Sequence, residues 1–128
     1  MAKSRRAVHL SELQLAVVRV LWKRGEATTA EVVADLAAER GLAQTTVATL
    51  LARLHKRGVL AQRRDGRTLV HRALISEAEV QRSMVASLIG TLFKGDAAAL
   101  VAHLVREEEL APGDLAAIRK RLADQDRE

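Results

Sequence analysis

Residues 41–72 read GLAQTTVATLLARLHKRGVLAQRRDGRTLVHR, a helical pattern that runs straight into two candidate strands. In its first half Val47, Leu50, Leu51 and Leu54 follow the i, i+3, i+4, i+7 spacing of a buried helical stripe. At ~100° per residue, Thr45, Thr46, Thr49, Arg53 and Lys56 gather in an arc about 100° wide on the opposite side. Gly58 ends the helix. Residues 59–64 and 68–74 then read as two strands. The Asp65-Gly66 dipeptide between them suits a type I′ hairpin turn, whose two central residues need positive φ. Arg63, Arg64 and Arg67 flank that turn.

Upstream, helix boundaries are marked by side chains that cap free amides. Ser11 and Gln14 form a capping box, and Leu10 can pack on Leu15 as a hydrophobic staple. A first helix is expected from Glu12 to Arg24, closed by Gly25, with Leu13, Val17, Val20 and Leu21 inward and Trp22 nearby. Thr28 and Glu31 repeat the box and open a second helix that carries Val32, Val33, Leu36 and Ala37 inward and stops at Gly41. The third helix lacks such a cap, because Ala43 stands where a capping side chain is expected. Three helices followed by a hairpin make a winged helix-turn-helix, expected over residues 10–75 after a basic tail, residues 1–9.

Downstream the pattern is helical without strands. Ser76 and Glu79 form a further box, opening a helix through Val80, Met84 and Leu88 to about Phe93, with Gly90 a weak point. Gly95-Asp96 breaks and recaps the chain. Leu100, Val101, Leu104 and Val105 supply another stripe, and Pro112 suits the first position of a last helix bearing Leu115, Ile118 and Leu122. These stripes exceed what a domain of ~75 residues needs to cover its core, so pairing with a second copy is their natural outlet. Leu88, Leu92, Leu100, Leu104, Leu115, Ile118 and Leu122 are the candidate dimerisation residues. The alternative is a monomer in which residues 76–128 fold back on the winged helix. The expected fold class is mainly α with a small β-hairpin, a winged helix followed by a helical dimerisation region.

Composition bounds the function. The chain has 128 residues, 48% of them hydrophobic, and no cysteine, which excludes disulfides and thiolate metal sites. No apolar run approaches the ~18 residues of a membrane span, and the basic N-terminus is followed by an amphipathic pattern instead of a signal-peptide core. A cytoplasmic protein without membrane insertion is expected. Residues 1–75 hold 14 Lys or Arg against 6 Asp or Glu, a net +8, whereas residues 76–128 hold 7 against 10, a net −3. The basic half is the candidate polyanion binder, the alternative being a solvated charged face. His9, His55, His71 and His103 show no metal-ligand spacing, and no nucleophile has a neighbouring base by pattern, so no metal, cofactor or enzymatic activity is expected. One Trp and one Phe give no stacking platform for single strands.

A helix enters the major groove of DNA only if its exposed face is narrow, polar and not bulky. Thr46 and Thr49 offer hydroxyls and methyls to base edges or thymine methyl groups, and Ala48 and Ala52 permit close approach. Thr45, in the first turn, is placed for a phosphate, and Arg53 and Lys56 for phosphate grips further along. A wing with Arg63, Arg64 and Arg67 can lie along the backbone or enter a minor groove. Two other classes remain open: a winged helix used as a protein-interaction module, and a winged-helix regulator that senses a small molecule.

The Ser11-to-Trp22 pattern, Thr28-Thr29-Ala30-Glu31-Val32 and above all Thr45-Thr46-Val47-Ala48-Thr49-Leu50-Leu51-Ala52-Arg53-Leu54, ending in Lys56-Arg57-Gly58, resemble the penicillinase repressor family of BlaI, MecI and CopY type. The resemblance runs on through Leu100-Val101-Ala102-His103-Leu104 and Glu107-Glu108-Glu109-Leu110. It implies a bacterial homodimeric repressor, of the kind that governs antibiotic resistance, which binds an inverted-repeat operator on double-stranded DNA and dimerises through its C-terminal helices. It also implies a membrane-bound sensor metalloprotease as a partner and relief of repression by cleavage in the C-terminal region. Thr45, Thr46, Thr49 and Arg53 match the family's DNA-facing positions. Thr45 and Ala48 stand where relatives often carry lysine, and Ala43 replaces a common serine, so the operator sequence does not carry over. The Asn-Phe pair cut in relatives is His103-Leu104 here, and the copper-binding cysteines of CopY-type members are missing.

Overall fold

The computed structural model describes residues 7–107, 109–111 and 113–126. Among these residues six helices and three short strands follow in the order α1 (Glu12–Arg24), β1 (Ala27–Thr28), α2 (Thr29–Leu36), α3 (Gln44–Lys56), β2 (Leu60–Asp65), β3 (Thr68–Ala73), α4 (Glu77–Leu92), α5 (Ala97–Arg106) and α6 (Asp114–Asp126). The antiparallel sheet has the order β1-β3-β2. The chain divides between Met84 and Val85 into two compact units. No single helix among the described residues is long and apolar enough to cross a membrane.

The capping boxes form as the sequence implies. The Ser11 hydroxyl accepts the Gln14 amide at 3.1 Å and the Gln14 side chain accepts the Ser11 amide at 3.0 Å. Thr28 and Glu31 do the same at α2, and Ser76 and Glu79 at α4. Gly25 ends α1 with φ +86°, a conformation that a Cβ disfavours. In α1 the buried residues are Ala16, Val17, Val18, Val20 and Leu21, whereas Leu13, expected inward, is exposed. Leu13 shares its azimuth with Val17 and Val20, but it sits in the first turn, at the end of the helix. Leu10 and Val8, just before the helix, are buried instead.

α2 is shorter than its apolar pattern. It ends at Leu36, whose carbonyl collects the amides of Arg40 and Gly41, so Ala37 lies exposed in a turn instead of facing inward. Strand β1 has no counterpart in the expectation: Ala27 and Thr28 pair with His71 and Val70 of β3. The hairpin turn moves by one residue. Asp65 pairs with Thr68, which makes Gly66 and Arg67 the central residues. Of these only Gly66 has positive φ, +64°, the pattern of a type II′ turn and not of type I′. Thus the one left-handed position falls on the residue without a Cβ, and Arg67 stands at the tip.

The core of the first unit joins α1, α2 and α3 through Val17, Leu21, Val32, Leu36, Val47, Leu51 and Leu54, and Leu60 closes it from β2. The beginning of α4 belongs to this unit. The Trp22 indole N–H donates to the Ile75 carbonyl at 2.8 Å, the Val8 amide donates to the Ser83 hydroxyl at 2.7 Å, and Val80 is buried with Met84 against the same core. The division at Met84/Val85 therefore lies beyond the one expected at residue 75.

The second unit holds the end of α4, then α5 and α6. α4 passes through Gly90 without interruption, and Asp96 caps α5 by accepting the Ala99 amide at 3.1 Å. Pro112, expected at the start of the last helix, lies outside the described residues, as do Met1 to Arg6 of the basic tail. Leu88, Leu92, Val101, Val105, Leu115, Ile118 and Leu122 are all exposed, and Leu100 and Leu104 are half-buried.

Candidate nucleic-acid interface

α3 is oriented by its buried stripe. Val47, Leu51 and Leu54 are fully buried against α1 and α2, with Leu50 half-buried beside them. That leaves Thr45, Thr46, Ala48, Thr49, Ala52, Arg53 and Lys56 exposed on the other side, as the periodicity implies. Arg53 and Lys56 have no hydrogen-bond or ion-pair partner among the described residues. Thr49 differs from Thr45 and Thr46, since its hydroxyl donates to the Thr45 carbonyl at 2.9 Å. The start of α3 is bare. Ala43 occupies the cap position with no side-chain hydrogen bond, whereas α1, α2 and α5 are capped, so the first-turn amides of α3 remain available to an outside acceptor.

Ion pairs brace the helices that hold α3. Arg24 at the end of α1 donates to both carboxylate oxygens of Asp35, at 2.7 and 2.8 Å, and reaches Glu31 at 3.2 Å. These bonds hold the Asp35 carboxyl below its ordinary range, and Glu31 is lowered first by its hydrogen bonds to Thr28. Arg40 bonds Glu12 at 2.8 Å, which ties the α2–α3 connection to the start of α1. Arg57, at the end of α3, donates to the His9 carbonyl at 2.9 Å.

The wing arginines are not equivalent. Facing residues alternate along the hairpin, so Arg63 opposite Val70 and Arg72 opposite Ala61 share one face of the sheet. Arg64, opposite Leu69, lies on the face that carries Leu60 and His71. Arg64, Arg67 and Arg72 are exposed and without a partner among the described residues, whereas Arg63 donates to Glu26 at 2.6 Å, and this bond raises its pKa. Glu26 and Arg72 are the residues that the sequence reading missed. Arg72 is visible in the sequence as a cation, but only the register puts it beside Arg63. Glu26 lies 37 residues from its partner and carries no local signal.

Beneath the wing, His71 is buried at the centre of β3. Its Nε2 lies 3.1 Å from the Thr29 hydroxyl, and its Nδ1 has no partner among the described residues. Burial, and then the neighbouring His55, lower its pKa. The candidate cleavage pair lies elsewhere, in the second unit: His103 and Leu104 are inside α5, the first exposed and the second half-buried, and the His103 ring meets Phe93 edge-on at 6.0 Å.

Comparison with known proteins places this geometry. Residues 10–124 match the family model of the penicillinase repressor. The chain is 36% identical over 117 residues to the transcriptional regulator BlaI of Mycobacterium tuberculosis, covering 90% of this chain and 83% of that one. It is 26% identical over 102 residues to the penicillinase repressor of Bacillus licheniformis, covering 80% of each. The solution structure of monomeric Bacillus licheniformis BlaI in complex with the blaP half-operator matches with a TM-score of 0.50 at 31% identity, over 58% of this chain and 90% of that one. The chain thus belongs to the penicillinase repressor family, as a transcriptional repressor of BlaI and MecI type whose DNA-binding domain is a winged helix.

Proposed function

We propose that the protein acts as a homodimer on an inverted-repeat operator, each copy setting α3 in a major groove and its wing along the adjoining backbone. The observation that carries this reading is the outward face of α3, where small polar side chains and two unpaired cations stand on a helix whose first-turn amides are uncapped. Thr46 and Thr49 would meet base edges. Thr45, Arg53 and Lys56, with Arg64 and Arg67 of the wing, would grip phosphates, and Arg63 would join them after leaving Glu26. The complex of the Bacillus licheniformis relative with a half-operator supports DNA as the ligand.

Pairing of two copies is supported by the exposed apolar residues of the second unit, Leu88, Leu92, Leu115, Ile118 and Leu122, with Leu100 and Leu104 at their margin. Repression would be relieved by cleavage in this region or by loss of dimerisation, with a membrane-bound sensor metalloprotease as the partner that the family resemblance suggests. A protease binds an extended chain, so a cut at His103–Leu104 requires α5 to unwind first. Selection of bound fragments from the source genome with the purified protein tests the reading. A two-fold repeat upstream of genes is expected, and recovery of fragments without any shared repeat would overturn it.

A further inference from the structure

The hydroxyl of Thr49 is already engaged. It donates its proton to the Thr45 carbonyl, 2.9 Å away and one turn back along α3. Bonding of this kind turns Oγ1 along the helix axis and leaves the γ-methyl as the part of the side chain that projects outward. Thr46 is different, because its hydroxyl has no partner among the described residues. Ala48 and Ala52, both exposed, lie one turn apart on the same side of α3. The middle of the helix face is therefore a strip of methyl groups. Hydroxyls stand at its start on Thr45 and Thr46, and cations towards its end on Arg53 and Lys56.

In the major groove only thymine presents a methyl group, at C5, and an apolar contact is the way a side chain distinguishes it. We propose that Thr49 reads a thymine C5-methyl through its own methyl, so that each half-site of the preferred duplex carries a thymine beneath Thr49. Ala48 and Ala52 permit the close approach that this contact requires, since neither extends past its Cβ. The inference rests on the operator reading above and deepens it, by assigning apolar contact instead of hydrogen bonding to one position of the helix.

The test begins with duplexes that the full-length protein selects from a random library. Single thymines in the enriched site are then replaced by deoxyuridine, which removes only the C5-methyl. These duplexes are titrated with the parent protein, Thr49→Val and Thr49→Ser, each checked for an unchanged thermal melt. Valine keeps the methyl and discards the hydroxyl, and binding within about two-fold of the parent is expected. Serine keeps the hydroxyl and discards the methyl. At ~0.8 kcal/mol for a buried methyl-sized group, it should lose about four-fold in affinity per half-site. One symmetry-related thymine should show the same loss on conversion to uracil, and no further loss in the Thr49→Ser protein, because the two methyls touch only each other. Tighter dependence on the hydroxyl, with Thr49→Val weaker than Thr49→Ser, or equal binding of every uracil duplex, would overturn the inference and leave the operator reading standing. Failure to enrich any shared sequence would overturn the operator reading itself.

Discussion

Arg63 and Arg64 are neighbours in the sequence and opposites in the structure. The first is bonded to Glu26 across the sheet, and the second has no partner among the described residues. On the proposed reading a phosphate would compete with Glu26 for Arg63, so Glu26 would attenuate the wing. Glu26→Gln should tighten DNA binding and steepen the dependence of log K on log salt by about 0.9 per copy, the increment for one added phosphate contact. Both side chains are about half exposed, so the melting temperature should hardly move. Unaltered affinity and slope in a salt titration would show that Arg63 is a strap and not a reserve. Such a pairing is invisible from sequence, where alternation and caps act locally. The same holds for His71, whose periodicity says strand but not its burial. Its pKa is lowered by burial, so below the ordinary value of about 6.5 the unfolded chain takes a proton that the folded chain resists. Stability should therefore fall as the pH drops from about 6.5, above the window in which Glu31 and Asp35 act, which opens only near their unfolded values of about 4. Thermal melts between pH 7.5 and 5 should show this loss in the parent and a flatter profile in His71→Gln; identical profiles would assign the loss elsewhere.

The elements with the plainest sequence signals are those closed by hydrogen bonds three residues apart. Ser11 with Gln14, Thr28 with Glu31 and Ser76 with Glu79 mark three helix starts correctly, because both partners lie in one turn. β1 is different, since two residues have no period to read and their partners, Val70 and His71, come from the far side of α2 and α3. Arg67 at the hairpin tip is a case between these. The glycine that makes the turn is obvious, but the pairing of Asp65 with Thr68 decides which residue follows it. The end of the first unit is legible only in part: the break at Ser76 is a real helix start, yet Trp22 and Val8 bond to Ile75 and Ser83 and draw the first turns of α4 into the winged helix. A chain ending after Met84 should then melt cooperatively, whereas one ending at Ser76 loses Val80, a buried side chain worth about 1.5–3 kcal/mol, together with the packing of Met84. Denaturant titration of the two truncations checks this, and equal stabilities would refute the role given to α4.

The two halves of the chain differ in charge, +8 over residues 1–75 against −3 over residues 76–128. The basic half presents α3 and the wing, and the acidic half exposes the leucines that two copies would share. Charged substitutions at Leu92 and Ile118 together should shift the protein to monomer in sedimentation, and binding to a two-fold site should weaken because two recognition helices no longer share one ligand. A dimer that survives both changes would place the interface elsewhere. On the proposed reading two copies each lay the exposed face of α3 on one duplex. The salt dependence of binding to a selected two-fold site, for the parent and for Arg53→Ala, checks this claim. Each of the two copies then grips one phosphate fewer, so the log–log slope should flatten by about 1.8 as affinity falls. An unchanged slope together with unchanged affinity would contradict the claim.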